Sequence, residues 1–269
     1  MRSTSPDIPR DGPAIEVAGL RIEYPTTFEK KASIKTFVSD RGRQKWKRRR
    51  TVEAIRDVTF SLDQGKVLCI IGRNGAGKST MLRVLAGILA PTGGRVVIRG
   101  DVATLLSLGA AFNKNLTGRE NIFLGAMAAG FSRAEVNERM DAIEAFAELG
   151  EFIDAPARVY SSGMYARLGF SVAIHVDADV LLIDEALGAG DAAFRDKCTA
   201  KIHELCQAQH RTVVMVTHQT DIVSELAHEV LWMDKGQVKE KGDAEDVLID
   251  YRRFLFEERR AEAAGGVVS

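Results

Sequence analysis

Apolar residues recur along this chain with two spacings, and the switches between them divide it into strands and helices. Ile15, Val17, Leu20, Ile22 and Tyr24 trace a first strand. After a stretch with no such pattern, Val52, Ile55, Val58, Phe60 and Leu62 trace a second. Val67 to Ile71 is an unbroken apolar run, the mark of a strand buried on both faces. Met81, Leu82, Leu85, Ile88 and Leu89 then repeat at helical spacing. Past the turn Pro91-Thr92-Gly93-Gly94, Val96 to Ile98 predict another strand and Val102 to Leu108 one more. From Thr117 helices take over. Ser132 and Glu135 have capping-box spacing, and Val136, Met140, Ile143 and Ala147 form the stripe that Gly150 ends. Val180 to Ile183, Thr212 to Thr217 and Val230 to Met233 return to buried-strand character, Lys235-Gly236 suits a hairpin turn, and Asp246 to Arg260 predict a closing helix.

The apolar run and the helix after it are separated by Gly72-Arg73-Asn74-Gly75-Ala76-Gly77-Lys78-Ser79-Thr80. A GxxxxGK[ST] string arises by chance on the order of 0.01 times in a chain of this length, so it marks a phosphate-binding loop. Its glycines remove side chains that would keep a polyphosphate from the backbone, and the N–H groups and positive helix end hold the anion. Lys78 adds a point charge on the outer phosphates, and the Ser79 hydroxyl is placed to ligate magnesium.

Composition narrows the partners. Lys plus Arg and Asp plus Glu stand at 37 each, so the net charge of zero argues against nucleic acid. No apolar run approaches the roughly twenty residues of a membrane span, and the first residues do not read as a secretory signal. Cys69, Cys198 and Cys206 are too few and too scattered for a metal site or a disulfide framework. A soluble protein of a reducing compartment is expected, one that would borrow any membrane span from another chain. Charge is concentrated locally: Arg41, Arg43, Lys45, Lys47, Arg48, Arg49 and Arg50 surround Trp46 in the patternless stretch. That stretch reads either as a solvated insertion or as a contact for anionic head groups or a phosphorylated substrate.

Further residues suit the same chemistry. Val180 to Ile183 runs into Asp184 and Glu185, and in open α/β sheets ligands bind beyond the carboxyl ends of strands. Asp184 could hold magnesium through water and Glu185 could polarise the attacking water, or either could cap a helix. His218 follows another strand at the same edge, where a donor to a terminal phosphate is useful; His175, His203, His210 and His228 carry no such context. Tyr160-Ser161-Ser162-Gly163-Met164 precedes a helical run containing Ala166, Leu168, Phe170, Val172 and Ile174. It reads as an ordinary N-cap or as N–H groups presented to an anion.

The order of these parts, with Gly190-Asp191 between Glu185 and His218, resembles the ATPase subunit of ABC transporters from about Ile15 to Asp250. The resemblance implies an α/β fold of the P-loop NTPase class, an ABC-type ATPase with a mostly parallel core sheet, an antiparallel β subdomain and an α-helical subdomain. It implies a domain over 14–260, with a basic insertion at 25–50, helices over about 117–176, and tails at 1–13 and 261–269. Tyr24 resembles the aromatic that stacks on adenine, Gly72 to Thr80 the Walker A loop, and Tyr160 to Met164 the signature segment. Asp184 and Glu185 resemble Walker B with its catalytic base, Gly188 to Asp191 the D-loop, and His218 the switch histidine. ATP and Mg2+ are the implied ligands. Two copies would pair head to tail, so that Ser161, Ser162 and Gly163 serve the nucleotide held by the other copy.

Two departures from the family pattern narrow the branch. The signature reads Tyr-Ser-Ser-Gly-Met where most relatives have Leu-Ser-Gly-Gly-Gln, and the expected glutamine before the helical insertion falls on Leu108, which cannot ligate magnesium. Both departures, and the basic insertion, are similar to the polysaccharide-exporting branch, whose ATPases move lipid-linked O-antigen, capsule, teichoic acid or galactan chains. That likeness implies two copies of a separate membrane permease, a lipid-linked glycan as cargo, and a peripheral location on the cytoplasmic face of the bacterial inner membrane. Only Ala261 to Ser269 follow Arg260, so the carboxy-terminal carbohydrate-binding domain of some relatives is not expected. The alternatives are an ABC ATPase for a lipid, drug or ion, and a soluble ABC protein outside transport.

Overall fold

The computed structural model describes residues 11–25, 51–105, 112–184 and 191–263. The basic cluster at 41–50, Leu108, Glu185 and the Gly188 to Gly190 part of the D-loop reading lie outside the described residues. Among the described residues the strands are β1 Ile15–Pro25, β2 Thr51–Leu62, β3 Val67–Ile71, β4 Gly93–Ile98, β5 Val102–Thr104, β6 Val180–Ile183, β7 Thr212–Val216, β8 Glu229–Asp234 and β9 Gln237–Asp243. Among the same residues the α-helices are α1 Lys78–Leu85, α2 Gly118–Ala128, α3 Arg133–Ala147, α4 Ser162–His175, α5 Ala192–Gln209, α6 Thr220–Leu226 and α7 Ala244–Ala263.

Two sheets form. One is antiparallel, in the order β2-β1-β4; the other has the order β5-β6-β7-β3-β8-β9, parallel except for the last pair. Every residue of β3, β6 and β7 is buried, and successive side chains alternate between two cores. Leu68, Ile70, Leu182, Val214 and Met233 face α1 and the antiparallel sheet. Cys69, Ile71, Leu181, Met215 and Trp232 face the layer of α2 to α7. Each large side chain buried this way stabilises the fold by roughly 1.5–3 kcal/mol against exposure, so the strand period of two fixes which layer lies on which face.

Several elements depart from expectation. The strand begun at Val102 ends at Thr104, and Leu105 is already helical. α1 stops at Leu85 rather than running to Leu89. Gly87 turns left-handed, Ile88 donates back to Arg83, and its side chain points outward, 58% exposed. α3 ends where Glu148 enters the left-handed region, two residues before Gly150. Its capping box forms as the spacing predicts, Ser132 N–H on Glu135 at 2.7 Å and Glu135 N–H on Ser132 at 3.3 Å. A second box, Thr117 with Glu120, starts α2. α7 runs three residues past Arg260, into the segment read as a tail. Lys235 and Gly236 both take positive φ, the geometry of a two-residue hairpin turn, and this turn brings in the polar edge strand β9.

Candidate nucleotide-binding site

β3, β6 and β7 are parallel neighbours, so their carboxyl ends lie at one edge of the sheet, with Gly72, Asp184 and Thr217-His218 just beyond them. Gly72, Gly75 and Gly77 all have positive φ. The backbone also needs Gly72 and Gly77 for space. A Cβ on Gly72 would stand 2.1 Å from the Met233 carbonyl oxygen, and one on Gly77 2.7 Å from that of Ala54. A Cβ on Gly75 would meet nothing within 4 Å. The loop therefore nests against the sheet on one side and opens on the other. The hairpin turn buttresses it: Gly236 N–H donates to Ala76 O at 3.1 Å, and Arg56 N–H donates to Gly236 O at 2.7 Å.

Lys78 is the charge at the centre. Only 6% exposed, it folds back over the loop and donates to the carbonyls of Gly72 at 2.8 Å and Arg73 at 3.0 Å. α1 starts from Gly77, which offers no side-chain cap, so the helix's first-turn N–H groups have no capping acceptor from that residue. Ser79 is exposed and Thr80 half-buried in that first turn.

A cavity of about 580 Å³ opens over the loop, lined by Gly72, Arg73, Asn74, Gly75 and Ala76 with His218, Asp234 and Lys235 from the sheet edge and Tyr251 and Leu255 from α7. The structure thus brings His218 to the phosphate loop across the sheet. Tyr24 is not among the lining residues; it sits in β1 opposite Val52, 36% exposed.

A second cavity, about 560 Å³, shares no lining residue with the first and is lined by Ser161, Gly163, Met164, Arg167, Asp191 and the segment from Glu148 to Phe152. Ser161 is the N-cap of α4, accepting from Met164 N–H at 3.2 Å, and Ser162 opens the helix. Asp191 caps α5 through Phe194 N–H at 2.9 Å. That hydrogen bond, together with the Arg167 guanidinium, holds its carboxyl below the ordinary value. Arg167 also reaches Glu148 at 3.4 Å and lies over the Phe194 ring, 4.6 Å from its centre. Of the residues expected from sequence to face nucleotide, Gly72 to Ala76 with His218 line one cavity, and Ser161 and Gly163 with Asp191 line another; Gly77 to Thr80 and Ser162 line neither.

Sequence reasoning missed Arg167, which ties the signature segment to Asp191, and the α7 wall of the first cavity. A signal for that wall existed in Val247, Leu248, Tyr251 and Leu255, a helical stripe ending beside the site.

The profile of the ABC transporter family matches residues 55–188. The chain is 43% identical over 245 residues to the O-antigen export system ATP-binding protein RfbB of Klebsiella pneumoniae, covering 90% of this chain and 99% of that protein. It is 45% identical over 236 residues to the Myxococcus xanthus protein of the same name, covering 88% of this chain and 53% of the relative. With the teichoic acids export ATP-binding protein TagH of Shouchella clausii it shares 41% over 202 residues, 75% of this chain and 56% of the relative. The chain thus spans nearly all of the Klebsiella relative and about half the length of the other two. Among solved structures, the ATP-binding cassette MJ0796, in a dimeric post-hydrolysis state bound to ADP and Pi, superposes with a TM-score of 0.70 at 20% identity. That match covers 86% of this chain and 98% of the other, and the shared architecture is the ATP-binding cassette fold.

Proposed function

The chain belongs to the ABC transporter family, and from that premise we propose that it is the ATP-hydrolysing subunit of a bacterial polysaccharide exporter. It acts as a homodimer beneath two copies of a separate membrane permease, on the cytoplasmic face of the inner membrane, and its cargo is a lipid-linked glycan. One observation carries the ATPase reading: a glycine loop packed against the sheet on one side and open on the other, with Lys78 poised over its carbonyls and His218 across the cavity. Identity along almost the whole of an O-antigen export subunit supports the cargo class.

Each residue then has a task. Lys78 exchanges its carbonyl partners for the outer phosphates, and the N–H groups of Arg73 to Thr80 face the chain of phosphoryl oxygens. Ser79 and Asp184 offer hard oxygen donors, the set magnesium prefers. When bound, magnesium supplies neutralisation of charge on the outer phosphates. Glu185 orients and polarises the attacking water, and His218 donates to the terminal phosphate. Because Ser161 and Gly163 line a cavity apart from the loop, they reach a phosphate only if a second copy presents them. This separation favours a head-to-tail dimer with two shared sites.

Glu185→Gln tests the assignment. Nucleotide binding persists while turnover falls by about two orders of magnitude or more, the usual weight of a positioned base. Undiminished multiple turnover shows that Glu185 is not the base. For the cargo, depletion of the chain in cells should leave a lipid-linked glycan on the inner leaflet; unchanged glycan export would refute the substrate class.

A further inference from the structure

We propose that Glu258, on the C-terminal helix, is a positioning residue of the nucleotide site: it engages Arg73 of the phosphate loop and so sets how tightly the loop takes nucleotide. The inference rests on the nucleotide reading of the cavity above and adds a control on its affinity.

α7 is fixed to the sheet by an aromatic cluster. Tyr251 meets the Trp232 ring edge-on at 5.2 Å between centroids and Phe254 lies 5.1 Å from the same ring, while the Lys239 ammonium sits 4.1 Å from Trp232 and 3.7 Å from Phe254. Trp232 and Tyr251 are only 3% and 5% exposed. The anchor places Tyr251, Leu255 and Glu258 in register, since residues three, four and seven apart share one helix face. Tyr251 and Leu255 wall the cavity, and Glu258 lies one turn on, ion-paired to Arg73.

The Glu258 side chain is 12% exposed and that of Arg73 50%. A carboxylate so far from water requires a charged or hydrogen-bonding partner, and a guanidinium forms a strong one. The Arg73 carbonyl meanwhile accepts from Lys78 at 3.0 Å. Arg73 is thus held at both ends, its carbonyl by the loop lysine and its guanidinium by α7. A polyphosphate offers both cations competing acceptors. Arg73 can turn to it only by leaving Glu258, whose carboxylate then remains sequestered beside a ligand of its own sign. Glu258 therefore opposes binding, and the loop's affinity is lower than its own charges would give.

The test is titration of the full-length chain with a fluorescent ATP analogue at low ionic strength, comparing the parent with Lys78→Ala, Glu258→Gln and Arg73→Ala. Glu258→Gln keeps the side-chain shape and should lower Kd roughly two- to fivefold, the scale of a partly exposed ion pair. Arg73→Ala should raise Kd by a similar factor, and Lys78→Ala should abolish binding. Loss of a merely structural contact would leave binding unchanged or weaken it, so a tighter Glu258→Gln variant separates the two roles. If Lys78→Ala loses binding while Glu258→Gln matches the parent or binds more weakly, the positioning role is overturned and the nucleotide site stands. If the parent binds no nucleotide, both fall.

Discussion

Two alanine substitutions three residues apart should separate what the phosphate loop does for the fold from what it does for the ligand. Gly72 leaves β3 at φ +141°, where an added Cβ would stand 2.1 Å from Met233 O, well inside the 3.0 Å that Cβ atoms respect. That carbonyl cannot yield freely, because Met233 belongs to β8 and the register of β8 on β3 pairs its neighbour Trp232 with Ile71. Backbone strain of about 1–3 kcal/mol adds to an overpacking cost of similar size, so Gly72→Ala should cost about 3 kcal/mol or more. For a chain of this size that lowers the melting temperature by roughly 6–12 °C. Gly75 has φ +81° but open space around its missing Cβ. Gly75→Ala incurs only the left-handed penalty, about 1 kcal/mol, or roughly 2–4 °C. Its new methyl group meets no protein atom and lies on a residue that lines the cavity, so nucleotide affinity should fall more than tenfold while the fold survives. Thermal melts and nucleotide titrations on both variants decide the matter. A Gly72→Ala protein that melts with Gly75→Ala, or a Gly75→Ala protein that binds like the parent, refutes the division of the loop into a packed side and an open side.

Helix caps offer a second separation: Ser132→Ala and Ser161→Ala should each lose about 1 kcal/mol of stability as N-caps, but only Ser161→Ala should also lose ATPase activity, and equal activities would return Ser161 to a purely capping role. Burial raises the thiols of Cys69 and Cys198 to about 12 and that of Cys206 to about 11, so iodoacetamide at pH 8 should leave all three unmodified until denaturant is added; rapid labelling of the native protein would contradict their burial. Burial also holds the His175 and His228 imidazoles below the ordinary 6.5, and His228 Nδ1 accepts from Val67 N–H at 3.1 Å, a role open only to the neutral ring. The unfolded chain then binds more protons than the folded one below about pH 6.5, so the stability these two rings contribute is complete above that value and is lost as pH falls through it. Urea midpoints should climb from pH 5.5 to 7.5, and a midpoint that drops over that range would refute the assignment.

How much of this site could be read in advance depended on whether backbone or side chains build each part. The phosphate loop is backbone chemistry, and the residues it needs are contiguous: glycines where Met233 and Ala54 press close, then Lys78 and Ser79 at a helix start. The buried strands were legible for a related reason: β3 and β6 are apolar throughout, and β7 is apolar after its first residue, Thr212, whose hydroxyl accepts from Gly65 N–H at 3.1 Å. β9 was not legible, because Gln237–Asp243 is a polar edge strand whose pairing with β8 is imposed by the Lys235-Gly236 turn. α5 escaped for a different reason. Its signal was present in the Asp191 cap and in Phe194, Cys198, Ile202 and Leu205, but a Gly-Asp pair after the strand end was read as loop. The meeting of Arg73 with Glu258 lies beyond any local rule, for 185 residues separate them and neither sits in a pattern that names the other. It follows from α7 being pinned to Trp232, and so from packing of the whole domain. On the reading proposed above, motifs locate where phosphate would bind, whereas the strength of binding would be set partly by side chains that only the assembled fold delivers to the loop, and substitutions in α7 should change affinity without touching any motif residue.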